Sequence, residues 1–336
     1  MTQNLAEAVR LLQAGELVAF PTETVYGLGA DAANPEAVAK IFAAKGRPAD
    51  HPLIVHLPGA AYLDRWARDI PQAAWDLAEA FWPGPLTLIL KRAPEVPYAV
   101  TGGQETVGVR VPCHPMALDL LRAYAQAGGG RNGMCGVAAP SANRFGRISP
   151  TDAVHVREEL GDAVSLVLDG GKCEVGIEST ILDLSRDDGV PRILRPGHVK
   201  PQEIAAVLGV MPEQPQAASQ AGDAPRVSGS LDAHYAPRTP MRVVVTGMLE
   251  SVLRELKTTG ESAGLLAHTE TAAQLTFDTL RRLPDDPEGY ARGFYAALRE
   301  LDQAGDALIV VESIPYGAEW AAVADRLRRA ACGAGA

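Results

Sequence analysis

Apolar residues Leu5, Val9 and Leu12 recur at helical spacing, and Gly15 follows them as a stop. Leu17-Val18-Ala19-Phe20 is an unbroken apolar run of strand length. Residues 21–31 bring Pro, hydroxyls and glycines and predict a loop. A helix is predicted over 35–44. Asn34 can accept from its first turn, and Pro35 stands where a missing N–H costs nothing. Residues 52–57 read as a strand, and a helix over 71–81 ends at Trp82-Pro83-Gly84-Pro85. Strands follow at 86–90 and 106–111, then a helix at 115–126. A short strand at 137–139 leads into Pro140-Ser141-Ala142-Asn143. Next come a helix at 151–160, strands at 164–168, 179–184 and 191–195, and a helix at 201–208. Strands and helices interleave, yet several neighbouring strands have short links. The pattern predicts an α/β fold with a mixed twisted sheet and flanking helices, not a strictly alternating parallel barrel.

The pattern lapses over 211–230, where small, polar and Pro-rich composition marks a linker. Periodicity then resumes: strand 242–246, helix 248–257, strand 263–267, helix 287–303, strand 306–312 and helix 318–331. This predicts a smaller, Rossmann-like α/β domain. The expected organisation is residues 1–210, a linker or lid over 211–240, and 241–336. A chain of 336 residues is long enough for two cores.

Composition narrows the function. Apolar residues make up 47% and charged residues 21%, which suits a soluble globular protein. Aromatics at 5% leave little for stacking single-stranded nucleic acid. The net charge of −10, with no basic run, argues against RNA binding as the main role. Cys113, Cys135, Cys173 and Cys332 lack CxxC or zinc-site spacing and read as reduced thiols of a cytoplasmic protein. The opening Met-Thr-Gln-Asn-Leu-Ala-Glu does not read as a signal peptide, and no run is long enough to span a membrane.

Candidate chemistry lies at strand ends. Lys45 and Arg47 flank a glycine ahead of Pro48, and Arg195-Pro196-Gly197 repeats a cation at a turn. Such cations suit phosphate or carboxylate, although either could be a solvated surface charge. Ser141 and Asn143 offer a hydroxyl and an amide, or simply a self-satisfied turn. Ser179 and Thr180 open a strand and carry the same ambiguity. Thr106 and Arg110 lie four apart in a strand and share a face, and an Arg on a sheet face calls for an anion. His56 closes an apolar strand, as a core histidine also would. Gly27-Leu28-Gly29 lacks the third glycine of a dinucleotide loop. The GxxxxGK[ST], GxSxG and HExxH patterns are absent.

Together these residues resemble the threonylcarbamoyl-AMP synthases, the YrdC-type family, in the long form with a C-terminal accessory domain. The resemblance runs over essentially the whole chain. Its carriers are Pro21-Thr22-Glu23-Thr24-Val25-Tyr26-Gly27-Leu28, Lys45-x-Arg47 with Pro52-Leu53-Ile54-Val55-His56, Ser141-x-Asn143, Gly176-Ile177-Glu178-Ser179-Thr180 and Arg195-Pro196-Gly197. The linker element Ser228-Gly229-Ser230-Leu231-Asp232-Ala233-His234-Tyr235-Ala236-Pro237 fits the long form. The resemblance implies that L-threonine, bicarbonate and ATP give L-threonylcarbamoyladenylate and pyrophosphate. A partner tRNA threonylcarbamoyltransferase then acts on an adenosine of tRNAs that read codons starting with A. It implies threonine contacts at Thr24, His56, Arg110, Ala139 and Ser179. It implies ATP contacts at Arg47, His51, Thr106, Ser141, Asn143, Arg195 and Tyr235, with catalysis resting on Lys45 and Arg47. Mg²⁺ would be bound mainly through the ATP phosphates, with weak or no direct tRNA contact and no membrane.

Two features depart from the pattern. His51 stands where Asn is frequent, and Ala127–Gly136 looks like an insertion before the SxN strand. Two other classes compete. A carbamoyl-adenylate enzyme of the hydrogenase-maturation kind would carry acylphosphatase and zinc-finger segments, which are absent here. An RNA-binding module conflicts with the acidic balance.

Overall fold

The computed structural model describes residues 3–214, 224–229 and 231–335. Part of the expected linker, 215–223 and Ser230, lies outside the described residues. The chain divides into two compact units. The first comprises Met1–Arg144, Pro150–Glu174 and Glu178–Ser230; the second comprises Phe145–Ser149, Val175–Ile177 and Leu231–Ala336. No shift in composition announces the two short excursions, 145–149 and 175–177.

The strands of the first unit are β1 (Val18–Phe20), β2 (Gly27–Asp31), β3 (Ile54–His56), β4 (Leu86–Lys91) and β5 (Thr106–Arg110). They continue with β6 (Val137–Ala138), β7 (Leu166–Val167), β8 (Thr180–Asp183) and β9 (Arg192–Arg195). They form one sheet in the order β7-β1-β2-β6-β3-β5-β4-β8-β9. Pairs β1–β7, β3–β5 and β4–β8 are parallel, and the others are antiparallel. This is the mixed sheet expected from the short links between strands.

Local chemistry explains the elements that hold the site. The helix Pro35–Lys45 starts at Asn34, whose side chain accepts from the Glu36 N–H, and has Pro in its first turn. It ends at Gly46, whose φ of 61° is left-handed and lets its N–H reach the carbonyls of Phe42 and Ala43. Val38, Ile41 and Phe42 bury one face of this helix in the core.

The expected loop over 21–31 is corrected. Its second half is β2, paired to β1 with Val18 opposite Gly29 and Phe20 opposite Gly27. The glycines are there for closeness and not for a turn. A Cβ on Gly29 would stand 2.7 Å from a Phe20 ring carbon and 2.9 Å from Val137, and one on Gly27 would stand 3.0 Å from the Ala139 Cβ.

The second unit carries β10 (Met241–Val244), β11 (Ala263–Ala267), β12 (Thr279–Arg282) and β13 (Leu308–Glu312). All are parallel, in the order β10-β13-β11-β12, with helices at Leu249–Thr259, Pro287–Gln303 and Ala321–Gly333. Strand β12 had no sequence expectation. Thr-Leu-Arg-Arg is a half-buried edge with little periodicity. Among the described residues no helix is long and apolar enough to cross a membrane.

Candidate functional site

The first unit gathers two groups of buried polar side chains around the ends of β3, β5, β6 and β8. One is centred on Arg110. In the parallel pair β3–β5, His56 stands opposite Arg110. Arg110 is 3% exposed and its guanidinium is held on several sides. Nε donates to the Gly84 carbonyl at 3.1 Å, and Nη1 donates to Thr24 Oγ1 at 3.0 Å. Nη2 donates to the carboxylate of Glu23, a buried ion pair.

A hydroxyl-capped turn positions Thr24. Thr22 Oγ1 accepts from the N–H groups of Thr24 and Val25 and lies 2.9 Å from Thr24 Oγ1. His56 is 4% exposed, with Phe20 set edge-on against its ring. Burial, and then the Arg110 charge, push its pKa down to about 3, so the ring is neutral near pH 7. Ala139 joins this side: its N–H donates to the Ile54 carbonyl at 3.0 Å, and its Cβ is the neighbour that Gly27 accommodates.

The second group holds the remaining cations. Lys45 was expected on a loop beside Arg47. It is instead the last residue of its helix and is 2% exposed. Its Nζ donates to the carbonyls of Ser141 and Asn143, so it fastens the SxN segment from below. Burial, and then the charge of Arg47, hold its pKa well below that of a free lysine. The SxN segment is also tied to β2. Leu28 donates to the Pro140 carbonyl and Ala142 donates to the Tyr26 carbonyl.

Arg47 donates to the Pro52 carbonyl at 3.0 Å and to Ser228 Oγ at 3.3 Å. Arg195 donates to the Ser228 carbonyl at 2.8 Å. Its Nε and Nη2 hold the carbonyl and hydroxyl of Ser179, whose hydroxyl also meets Thr87 Oγ1. Ser179 thus stands next to Arg195. Arg47 and Arg195 are 7% and 4% exposed, which sets aside the solvated-cation alternative.

Beside these cations lies a small, shallow recess lined by Pro52, Ile54, Thr106, Gly108, Val227 and Ser228 among others. Thr106 reaches it from the same face of β5 as Arg110. His51 is half-buried on the 48–52 turn. Burial, followed by Arg47, lowers its pKa. The segment 226–228 rests on this side of the unit. The Arg226 backbone exchanges hydrogen bonds with the Gln104 side chain, and Val227 packs with Ile89 and Ile181.

Tyr235 belongs to the second unit. It is 1% exposed, has a left-handed φ of 63°, and sits among the rings of His234 and Tyr295 with the Arg326 guanidinium 5.7 Å away.

Most of the expected residues therefore fall into three sets, Thr24–His56–Arg110–Ala139, Lys45–Ser141–Asn143 and Arg47–Arg195–Ser179. His51, on the 48–52 turn, and Thr106, on β5, stand outside these sets, and Tyr235 lies in the second unit. Sequence reasoning missed Glu23 and Ser228 as partners of the arginines. Glu23 was visible only as part of a motif, and Ser228 only as part of a linker.

Comparison with known proteins also covers the chain in two parts, which meet near residue 198 and not at the 230–231 boundary of the two units. Residues 10–197 match the family model described as telomere recombination (Sua5_yciO_yrdC). Residues 199–332 match the model described as threonylcarbamoyl-AMP synthase, C-terminal domain. The chain is 39% identical over 329 residues to the threonylcarbamoyl-AMP synthase of Pyrococcus abyssi, covering 96% of this chain and 92% of that protein. It is 39% identical over 335 residues to the Bacillus subtilis protein of the same name, covering 98% and 93%. Its fold is similar to the crystal structure of P. abyssi Sua5 complexed with L-threonine. The TM-score is 0.88 at 37% identity, covering 98% of this chain and 94% of that one.

Proposed function

The chain belongs to the Sua5/YrdC family in its two-domain, threonylcarbamoyl-AMP synthase form, and from that premise we propose the reaction of this site. L-threonine, bicarbonate and ATP combine to L-threonylcarbamoyladenylate, pyrophosphate and water, the first step of a tRNA modification.

The convergence of Arg47 and Arg195 on one residue, together with an oriented Arg110 in the same unit, carries this reading. Arg110 with Thr24 receives the threonine carboxylate in a bidentate or charge-assisted bond. Neutral His56, with Ala139, completes the amino-acid side; a threonine contact at Ser179, which Arg195 holds, is proposed on the family resemblance alone. Arg47 and Arg195, with Ser141, Asn143, His51 and Thr106, receive the triphosphate and nucleoside.

The threonine amine and bicarbonate form a carbamate with loss of water. The carbamate oxygen attacks the α-phosphorus, and pyrophosphate leaves with the electrons of the broken P–O bond. The carbamate is short-lived, so the rate comes from holding it against the α-phosphate and neutralising the leaving charge. No side chain need become covalently bound.

The donors beside Arg47 and Arg195 are cations, hydroxyls and amides, a set that fits phosphate oxygens. Among the described residues no group of three His, Cys, Asp or Glu could hold a metal ion. Mg²⁺ is proposed, on the family resemblance, to be bound mainly through the ATP phosphates, where it would neutralise developing charge. Tyr235 is proposed as an ATP contact on the family resemblance. The product passes to a tRNA threonylcarbamoyltransferase in the cytoplasm.

The test is pyrophosphate release from ATP with each co-substrate withheld in turn. Release that needs threonine and bicarbonate together is the expected outcome. Equal release without threonine refutes the reading.

A further inference from the structure

The carboxylate of Glu23 is 3% exposed and belongs to no role assigned so far. It lies on the Arg110 guanidinium, and its second oxygen accepts from the Cys113 N–H at 3.1 Å. Burial alone would raise its pKa. The charge and hydrogen bond of Arg110 outweigh burial and, with backbone N–H groups, hold it below the ordinary glutamate value. Glu23 and Thr24 are neighbours on the turn that Thr22 caps, so one rigid turn presents both acceptors to one guanidinium. The Gly84 carbonyl holds the same group from another segment. Three of the five guanidinium N–H groups are thereby assigned, and their common plane is set. One N–H on each terminal nitrogen lies outside these three bonds.

We propose that Glu23 is a positioning residue for the amino-acid subsite: it fixes the plane of Arg110 and cancels its charge, so a ligand carboxylate meets an oriented but already neutralised pair. The inference rests on the reading of Arg110 as the carboxylate partner. Its consequence runs against intuition. A bound carboxylate adds a second negative charge near Glu23, so Glu23 sets orientation at the expense of affinity. A residue serving only to fill and brace the core would not have this effect on a ligand.

Glu23→Gln keeps the shape and removes the charge. The experiment measures thermal midpoints and calorimetric threonine affinity for wild type and Glu23→Gln, with sodium acetate against sodium chloride at matched ionic strength. Glu23→Gln should melt below wild type, and acetate should raise its midpoint while leaving wild type unmoved. Threonine should bind Glu23→Gln more tightly by roughly tenfold, since a like charge a few ångströms away has been removed.

A folded Glu23→Gln with no acetate response, or with threonine affinity equal to or weaker than wild type, overturns the proposal. Should Glu23→Gln not fold, Glu23→Asp draws the charge back by one methylene. A partial acetate response is then expected, and its absence is equally fatal. An acetate response in Glu23→Gln, with threonine binding to neither protein, would sink the threonine reading and leave the role of Glu23 intact.

Discussion

Arg195 donates to the backbone carbonyl of Ser228 at 2.8 Å, and Arg47 reaches the hydroxyl of the same serine. Two cations from distant parts of the chain thus meet on one short segment. In the proposed reaction the triphosphate takes over these donors. Charged hydrogen bonds are worth about 1.5–3 kcal/mol each, so Arg47→Ala or Arg195→Ala should weaken ATP binding by roughly tenfold or more. Threonine binding should change little. Calorimetry with ATP and with threonine separates the two, and wild-type ATP affinity in both variants removes them from the nucleotide site.

Lys45 has a different burden, because its amine bridges the carbonyls of Ser141 and Asn143. Lys45→Met keeps the packing and leaves both carbonyls without that donor. The expected cost is about 2–4 kcal/mol of stability in urea unfolding, together with loss of pyrophosphate release. Full stability in this variant would mean that the SxN segment is held without Lys45.

Arg110→Leu should be costly in a way that a second change repairs. It leaves the Glu23 carboxylate buried without its cation, worth about 3–5 kcal/mol of destabilisation. Adding Glu23→Leu should restore most of that loss while threonine binding stays absent. If the double variant is less stable than Arg110→Leu alone, the ion pair is not the reason for the loss.

His56 sets a pH dependence. Its folded pKa is about 3 against an ordinary 6.5, so the unfolded chain takes up a proton first as pH falls. Its neutral burial favours the fold fully above pH 6.5. That contribution is lost between about 6.5 and 3, with a slope of up to about 1.4 kcal/mol per pH unit. His56→Gln should flatten this acid limb in unfolding measurements from pH 7 to 4. An unchanged slope places the acid sensitivity elsewhere.

Tyr235→Ala tests the ATP role given to that residue on resemblance. Weaker ATP binding is expected, with threonine affinity close to wild type. Unchanged ATP affinity by calorimetry takes Tyr235 out of the nucleotide site.

Much of the frame was legible because its signals are local. The helix Pro35–Lys45 announced itself through Asn34, Pro35 and Gly46, each acting within a turn of its own position. Strand β2 was hidden because Gly27 and Gly29 read as turn signals. Their actual cause, the nearness of Phe20, Val137 and Ala139, lies in other strands. Arg110 was legible as an arginine on a sheet face that needs an anion. The anion that it holds, Glu23, is 87 positions away, and no local pattern links the two. Lys45 misled for a related reason: a cation before a Gly-Arg-Pro turn looks solvated until its two carbonyl acceptors are known.

The central claim is tested most directly by mass spectrometry of the adenylate product. The protein is mixed with ATP, Mg²⁺, L-threonine and bicarbonate, and the quenched mixture is searched for threonylcarbamoyl-AMP. The expected result is that species in the complete mixture, and its absence when threonine or bicarbonate is omitted or Arg110 is replaced. Pyrophosphate accumulating from the complete mixture with no threonylcarbamoyl-AMP would contradict the proposed reaction.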